Sequence, residues 1–442
     1  MTSTNIEIIL ILKDFLQQVQ NNPELRNHFA SSQSFTRQRK LPLDRIAYLV
    51  ISLLKRSLSV ELEDFFSTYY PSEACVTKAA FCKQREKLHY SFFALWNAVL
   101  VNSFYRLYGK QIKRWNGFRL VAIDGSTSYL VNKPELFEHF GIQINQSTSV
   151  VMGRIMTARD VLNGINICSQ LYPINTSEQQ IAYQWIPNLE KDMLAIYDRG
   201  FPSFTAMYLH LEQEAPVNFV IRCKNNFNKE VSCFSQSGCS DLLVEMKATN
   251  SAISELYKQG YKVTSETKIQ VRLVKVQLPD GKTEILITSL LDIKKHPLHL
   301  FGGLYFKRWG IETEYATQKN YMQLELLSGY KVNTILQDFH ASIFISNLQY
   351  ILSIPAQTKS EKKHKNRIYS YQINRNIAIG NLKHYLITLF KRKDTRVLIQ
   401  KIEKLFAKYI EPVRPDRQLL RIVKGKRTKG KYQTWTNYKR AI

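Results

Sequence analysis

The chain has 442 residues, more than one compact core holds and enough for two or three domains. Its 44% hydrophobic content excludes wholesale disorder. Against 36 Asp and Glu stand 62 Lys and Arg, and the resulting charge of +26 opposes compaction unless a polyanion, nucleic acid or an anionic membrane surface, supplies the balance.

The longest apolar runs, Ile8 to Leu12 and Leu49 to Leu54, fall well below the roughly 20 residues of a membrane span. The opening Met1-Thr2-Ser3-Thr4-Asn5-Ile6-Glu7 does not read as a signal peptide. Six scattered cysteines form no C-x-x-C pair and nine histidines form no H-E-x-x-H cluster, so neither a zinc site nor a disulfide scaffold is expected. Free thiols in a reducing cytoplasm, and no membrane partner, are the expectation.

In chain order, Ile6, Ile9, Leu10, Leu12, Phe15, Leu16 and Val19 recur at helical spacing, and Asn21-Asn22-Pro23 ends the run. Pro42 begins a second helix with Ile46, Leu49, Val50, Leu53 and Leu54 on its apolar side. A third helix runs from Thr77 to Leu88 and exposes Lys78, Lys83, Arg85 and Lys87, which suits a helix laid against DNA phosphates. A solvated surface helix reads equally well. Residues 1–115 are thus expected to form a helical N-terminal region that binds DNA.

Near Gly117 the texture changes. Phe118 to Ile123 is a β-rich run that should stop at Asp124-Gly125-Ser126, a strand followed by a turn. Residues 149–157 and 163–172 read as two strands joined around Asn163-Gly164. A helix from about Glu178 to Leu189 follows, then a short buried strand, Met193 to Tyr197, ending at Asp198-Arg199-Gly200. Beyond a helix near Phe204, Val217 to Ile221, Gln270 to Leu278 and Glu284 to Thr288 read as strands, the last two joined by Pro279-Asp280-Gly281. This stretch, about 215–295, reads as an all-sheet insertion. One long helix is expected over 301–325, then helices to the end and a basic tail, Lys424 to Lys431.

Two aspartates, Asp124 and Asp198, each follow a short apolar strand, and reactive groups in open α/β sheets gather outside strand ends. A single such Asp is more often a cap or turn residue. In the helix beyond, Tyr305, Arg308, Glu312 and Lys319 fall on one narrow stripe at about 100° per residue. On spacing alone the stripe reads as a surface ion-pair face or as a site. Glu314 and Glu325 are rivals to Glu312 but lie elsewhere on the wheel. Trp309, beside the stripe, reads as a core residue, with stacking on an unpaired base as the alternative.

The spacing Y-x2-R-x3-E-x6-K, met by Tyr305, Arg308, Glu312 and Lys319, resembles the signature of IS4-family transposases. Asp124 in Ala122-Ile123-Asp124-Gly125-Ser126 and Asp198 in Tyr197-Asp198-Arg199-Gly200-Phe201 resemble the first two acids of the same DDE group. The likeness covers most of the chain and thins after about residue 335.

The resemblance implies an α/β, RNase H-like catalytic core over 116–335, carrying the β-rich insertion. Helical regions flank it at 1–115 and, with the basic tail, at 336–442. It makes Asp124, Asp198 and Glu312 the metal ligands and catalytic acids, and places Tyr305, Arg308 and Lys319 on the transposon end. It implies two Mg²⁺ ions, for which Mn²⁺ can substitute. Double-stranded DNA is the implied partner, both element ends and target, bound by a homodimer in a bacterial cytoplasm. Cut-and-paste transposition, often through a hairpin intermediate, is the implied reaction. The segments Asp338 to Ser342 and Ile377 to Asn381 are candidates for the dimer interface.

The chemistry fits independently. Two divalent ions roughly 3.5–4 Å apart can activate a water or 3′-OH and stabilise the leaving oxyanion, and hard cations take carboxylate oxygens. Two like charges about 4 Å apart cost on the order of 4 kcal/mol at an effective dielectric near 20, a cost that bound cations offset. The alternatives are an RNase H-like nuclease that cuts without joining, and an inactive or domesticated DNA-binding protein on the same scaffold.

Overall fold

The computed structural model describes residues 1–37, 39–53, 55–144, 149–277, 281 and 283–414. Leu54, the turn residues Pro279 and Asp280 and the basic tail Lys424 to Lys431 lie outside them.

Helix α1 (Thr2–Asn21) ends where its apolar period ends. The Asn22 side chain accepts from the Glu24 and Leu25 amides, and Pro23 opens α2 (Pro23–Asn27). Helix α3 (Leu43–Ile51) stops short of Leu53, whose φ of 53° is left-handed. Helices α4 (Leu58–Tyr69), α5 (Lys78–Arg85) and α6 (Ser91–Tyr108) complete the helical start. Strand β1 (Arg119–Tyr129) follows, then α7 (Pro134–Phe140), β2 (Ile142–Ile144), β3 (Ser149–Asp160) and β4 (Ile165–Pro173). Next come α8 (Glu178–Trp185), β5 (Met193–Tyr197), α9 (Phe204–Leu211) and β6 (Asn218–Cys223).

The stretch read as all sheet contains two helices, α10 (Lys229–Gln236) and α11 (Asn250–Lys258), among β7 (Asp241–Lys247), β8 (Lys268–Gln277) and β9 (Thr283–Thr288). Each is nucleated by a side-chain cap, Asn228 on the Val231 amide and Thr249 on the Ala252 amide. The helix expected over 301–325 is broken into α12 (Leu300–Phe306), a 3₁₀ turn (Lys307–Trp309), α13 (Gly310–Ala316) and a π turn (Thr317–Tyr321). Gly310 at the joint costs helix about 0.8–1.0 kcal/mol relative to Ala. Helix α14 (Val332–Lys363), β10 (Ser370–Ile373), α15 (Arg375–Lys391), α16 (Arg396–Lys408) and β11 (Ile410–Val413) complete the described chain. No helix among the described residues is long and apolar enough to cross a membrane.

The chain forms two compact units, one of Met1–Lys110, Ser128–Gly153 and Ala316–Ile442, the other of Gln111–Thr127 and Arg154–Tyr315. The first is a helical assembly around α6 and α14. Trp96, fully buried, donates its indole N–H to the Leu12 carbonyl at 3.1 Å and stacks on Phe344 with centroids 4.5 Å apart. Arg85 is not on the exposed face of α5. Its guanidinium is buried and bonds the Asp338 carboxylate at 2.7 Å, the Gln337 side chain at 2.6 Å and the Thr334 carbonyl at 3.1 Å. Its long stem reaches inward because Asp338, beneath α5, supplies the compensating charge. Phe339, His340, Ala341 and Ser342 are buried with it, so most of Asp338 to Ser342, one of the two segments expected at a dimer interface, is core.

A nine-stranded sheet has the order β2-β3-β1-β5-β6-β9-β8-β7, with β4 paired to β3, and all of it but β2, the start of β3 and the end of β1 belongs to the second unit. Its central order β4-β3-β1-β5-β6, with β1, β5 and β6 parallel, is the RNase H-like arrangement. Val121, Ile123, Ala195, Tyr197, Phe219 and Ile221 fill one face; Leu120, Leu194, Ile196 and Val220 fill the other, under Phe301, Leu304 and Tyr305 of α12. Burial on both faces explains why these strands read as continuous apolar runs.

Candidate active site

The register of two strands sets the first two acids side by side. Ile123 pairs with Tyr197 across the parallel β1–β5 ladder. One residue on, Asp124 and Asp198 occupy neighbouring positions on strands about 4.8 Å apart. By alternation both share the parity of Leu120, Leu194 and Ile196, the face covered by α12. Strand β5 ends at Tyr197, so Asp198 does follow a strand end. Asp124 does not: β1 continues to Tyr129, because it stays paired with β3 beyond the point where β5 stops.

The helical segment brings the rest. Tyr305 donates to Asp198 Oδ1 at 3.2 Å. Arg308 lies with Nη2 2.8 Å from Glu312 Oε1 and Nη1 3.5 Å from Asp124 Oδ2. The 3₁₀ turn and Gly310 carry Arg308 and Glu312 to the same spot although the helix is not continuous. Arg308 is 3% exposed, and its Nε and Nη1 have no hydrogen-bond acceptor. Buried donors left without acceptors are rare in a folded protein.

Burial pushes the Asp124 carboxyl up to about 7, and the charges of Glu178 and Asp198 add to the rise, while the Gly125 amide (2.9 Å) and Arg308 oppose it. Desolvation lowers the Arg308 guanidinium, yet Tyr305, Glu312, Asp198 and Asp124 together hold its pKa above the ordinary value. Burial raises the Tyr305 hydroxyl, which keeps its proton for Asp198. Tyr315 donates to the Asp124 carbonyl at 2.7 Å and steadies β1 from below.

Other residues found in the sequence fall differently. Lys319 belongs to the first unit, half-buried in the π turn, where desolvation lowers its pKa and Glu325 opposes the change. Lys78 and Lys83 are exposed on α5 in that unit; Arg85 is not. Glu314 is fully buried in an ion pair with Arg159 at 3.1 Å and accepts from Asn166 at 2.9 Å; Glu325 accepts from the Tyr129 amide. Both rivals are therefore structural. Trp309 is 51% exposed, not a core residue. Sequence spacing missed Arg222, which links Asp198 (3.7 Å) to Glu284 (2.7 Å), and Glu178, beside Asp124. Neither stands at a motif spacing from the acids.

Among the described residues no three Asp, Glu, His or Cys side chains already form a cage for a metal ion. The oxygen-only donor set of Asp124, Asp198 and Glu312 is nevertheless that of a hard divalent cation, and two of its carboxylates already share one cationic partner.

The "Transposase DDE domain" family pattern matches residues 115–348, more than half of the chain and all of Asp124, Asp198, Glu312 and Lys319. The chain is 23% identical over 316 residues to the transposase InsG for insertion sequence element IS4 of Escherichia coli (strain K12), covering 70% of this chain and 68% of that protein. A solved piggyBac transposase synaptic complex with hairpin DNA aligns over 92% of this chain and 85% of its own at 14% identity, with a TM-score of 0.43. With the family pattern spanning the sheet and the acids it carries, the chain belongs to the DDE-domain transposases, divalent-metal-dependent enzymes that cleave DNA and transfer its strands.

Proposed function

We propose that this chain binds the ends of an insertion element as a homodimer and moves it by cut and paste, with Asp124, Asp198 and Glu312 holding two Mg²⁺ ions at the cut phosphodiester. The observation that carries the reading is the meeting of Asp124 and Glu312 on the buried guanidinium of Arg308, with Asp198 next to Asp124 in strand register. When bound, such ions lower the pKa of a nucleophilic water or 3′-OH and neutralise the leaving oxygen.

The protein's own groups do the rest. Tyr305 orients the Asp198 carboxylate through its hydroxyl, leaving the second carboxylate oxygen for coordination. The unmet Nε and Nη1 donors of Arg308 point to different sides of the guanidinium and would each serve a separate phosphate oxygen. Trp309, exposed beside Arg308, offers a ring face to an unpaired base. Lys319 contacts the transposon end as a point charge, and Lys78 and Lys83 contact the backbone farther along it.

The test is incubation of the purified chain with the terminal inverted repeats of its element, a target plasmid and Mg²⁺ or Mn²⁺. Joined products that vanish in Asp124→Asn, Asp198→Asn and Glu312→Gln support the reading. Cut ends that never join would make the chain a nuclease, end binding by the parent with neither cut nor joined product would make it a DNA-binding protein alone, and wild-type transposition by the three variants would remove the acids from catalysis.

A further inference from the structure

One carboxylate at this site has no part in the three-acid scheme. Glu178, the first residue of α8, lies against Gly125, the residue after Asp124. A Cβ on Gly125 would overlap the Oε1, Cδ and Cγ atoms of Glu178. Glycine permits that close approach without displacing the carboxylate. The carboxylate is anchored by Arg154 on β3, which ion-pairs with it and donates from Nε and Nη2 to the Ile174 carbonyl at 3.3 and 3.1 Å. Arg154 thus ties β3, the β4–α8 connection and the start of α8 to the one point of β1 that follows the first acid. Tyr315 holds the same peptide unit through the Asp124 carbonyl. An ordinary surface ion pair would tolerate any residue at 125. Here a side chain at 125 would have to push the Glu178 carboxylate off Arg154, and the Glu178 side chain is only 33% exposed.

We propose that Glu178 is a positioning residue of the transposition reaction: braced by Arg154 and seated on Gly125, its carboxylate fixes the backbone that presents Asp124 and adds a fourth negative charge to the cation-binding face. The proposal rests on Asp124 being a cation ligand.

It is tested in the full chain with Glu178→Gln, Glu178→Asp, Gly125→Ala, the double variant Gly125→Ala/Glu178→Ala, and Asp124→Asn as reference. The readouts are end cleavage, affinity for end DNA, and the thermal midpoint with and without Mn²⁺. Glu178→Gln should keep its ion-free midpoint to within about 2 °C and keep its end affinity. It should cleave at least about tenfold more slowly, with a smaller Mn²⁺-induced rise in midpoint, and Glu178→Asp should recover part of both. Gly125→Ala, which drives the carboxylate aside, should reproduce the loss. The double variant should regain the midpoint without regaining cleavage.

Cleavage by Glu178→Gln within about twofold of the parent, or wild-type cleavage by the double variant, overturns the proposal. The second result would make the contact mere packing, and it decides the matter if Glu178→Gln does not fold. An inactive Asp124→Asn beside an unimpaired Glu178→Gln sinks this inference alone. An active Asp124→Asn sinks the reading beneath it.

Discussion

Arg308 touches two of the three acids through one buried guanidinium. Arg308→Lys keeps the charge but removes the planar fork, so it should bind end DNA with reduced affinity and cleave far more slowly while remaining folded. Circular dichroism alongside a cleavage assay checks this; gross unfolding of the lysine variant would mean that Arg308 is a structural strut. Each acid variant should lose about 4 kcal/mol of transition-state stabilisation, about a thousandfold in rate. Because the acids work together, double variants should lose little more than single ones, which a mutant cycle on cleavage rates measures. Tyr305→Phe removes one hydrogen bond to Asp198, worth about 1 kcal/mol, and its cleavage should fall by roughly fivefold, a small defect beside that of Asp198→Asn.

At the scale of elements, β5, α9 and β6 are locked by a buried chain of polar groups. The Tyr197 hydroxyl donates to Nε2 of His210 at 2.8 Å, and Nδ1 donates to the Val217 carbonyl at 3.1 Å, a tautomer assigned from these partners. Burial lowers the His210 pKa to about 3 from an ordinary 6.5. The unfolded chain therefore takes a proton first: the stability His210 contributes is present above about pH 6.5 and is lost as pH falls toward 3. Urea midpoints should show His210→Gln well below the parent at pH 7.5 and closer to it at pH 5. On the first unit, Arg85→Ala leaves Asp338 without its cation and should cost about 3 kcal/mol, read by denaturant unfolding, with end affinity of the folded fraction unchanged.

These elements also mark what a sequence can disclose. The apolar runs of β1, β5 and β6 and the order of the acids were legible, since burial on both faces leaves no polar position to interrupt the run. The helices α10 and α11 were overlooked although capping residues and i, i+3 and i, i+4 apolar pairs announced them (Val231 with Phe234, Ala252 with Leu256). The interior placement of Arg85 was not legible, because α5 alone gives no hint of the Asp338 that draws it in. Glu178 and Arg222 were invisible for the same reason: strand register and crossovers, not spacing, bring them to Asp124 and Asp198.

For the whole molecule, a charge of +26 makes binding to a polyanion the dominant long-range force. The logarithm of end affinity should fall linearly with the logarithm of salt, by about 0.9 per phosphate neutralised. Filter binding across a salt series checks this, and a flat response would count heavily against DNA as the partner. The parked guanidinium between two acids has a thermodynamic corollary. A cluster of bare carboxylates would repel in a chelator, but here the ion-free enzyme carries its own counter-ion, which offsets part of that repulsion. EDTA should abolish catalysis and take back no more than the Mn²⁺-induced rise in the parent's midpoint, whereas in Arg308→Ala the same chelator should lower the midpoint further.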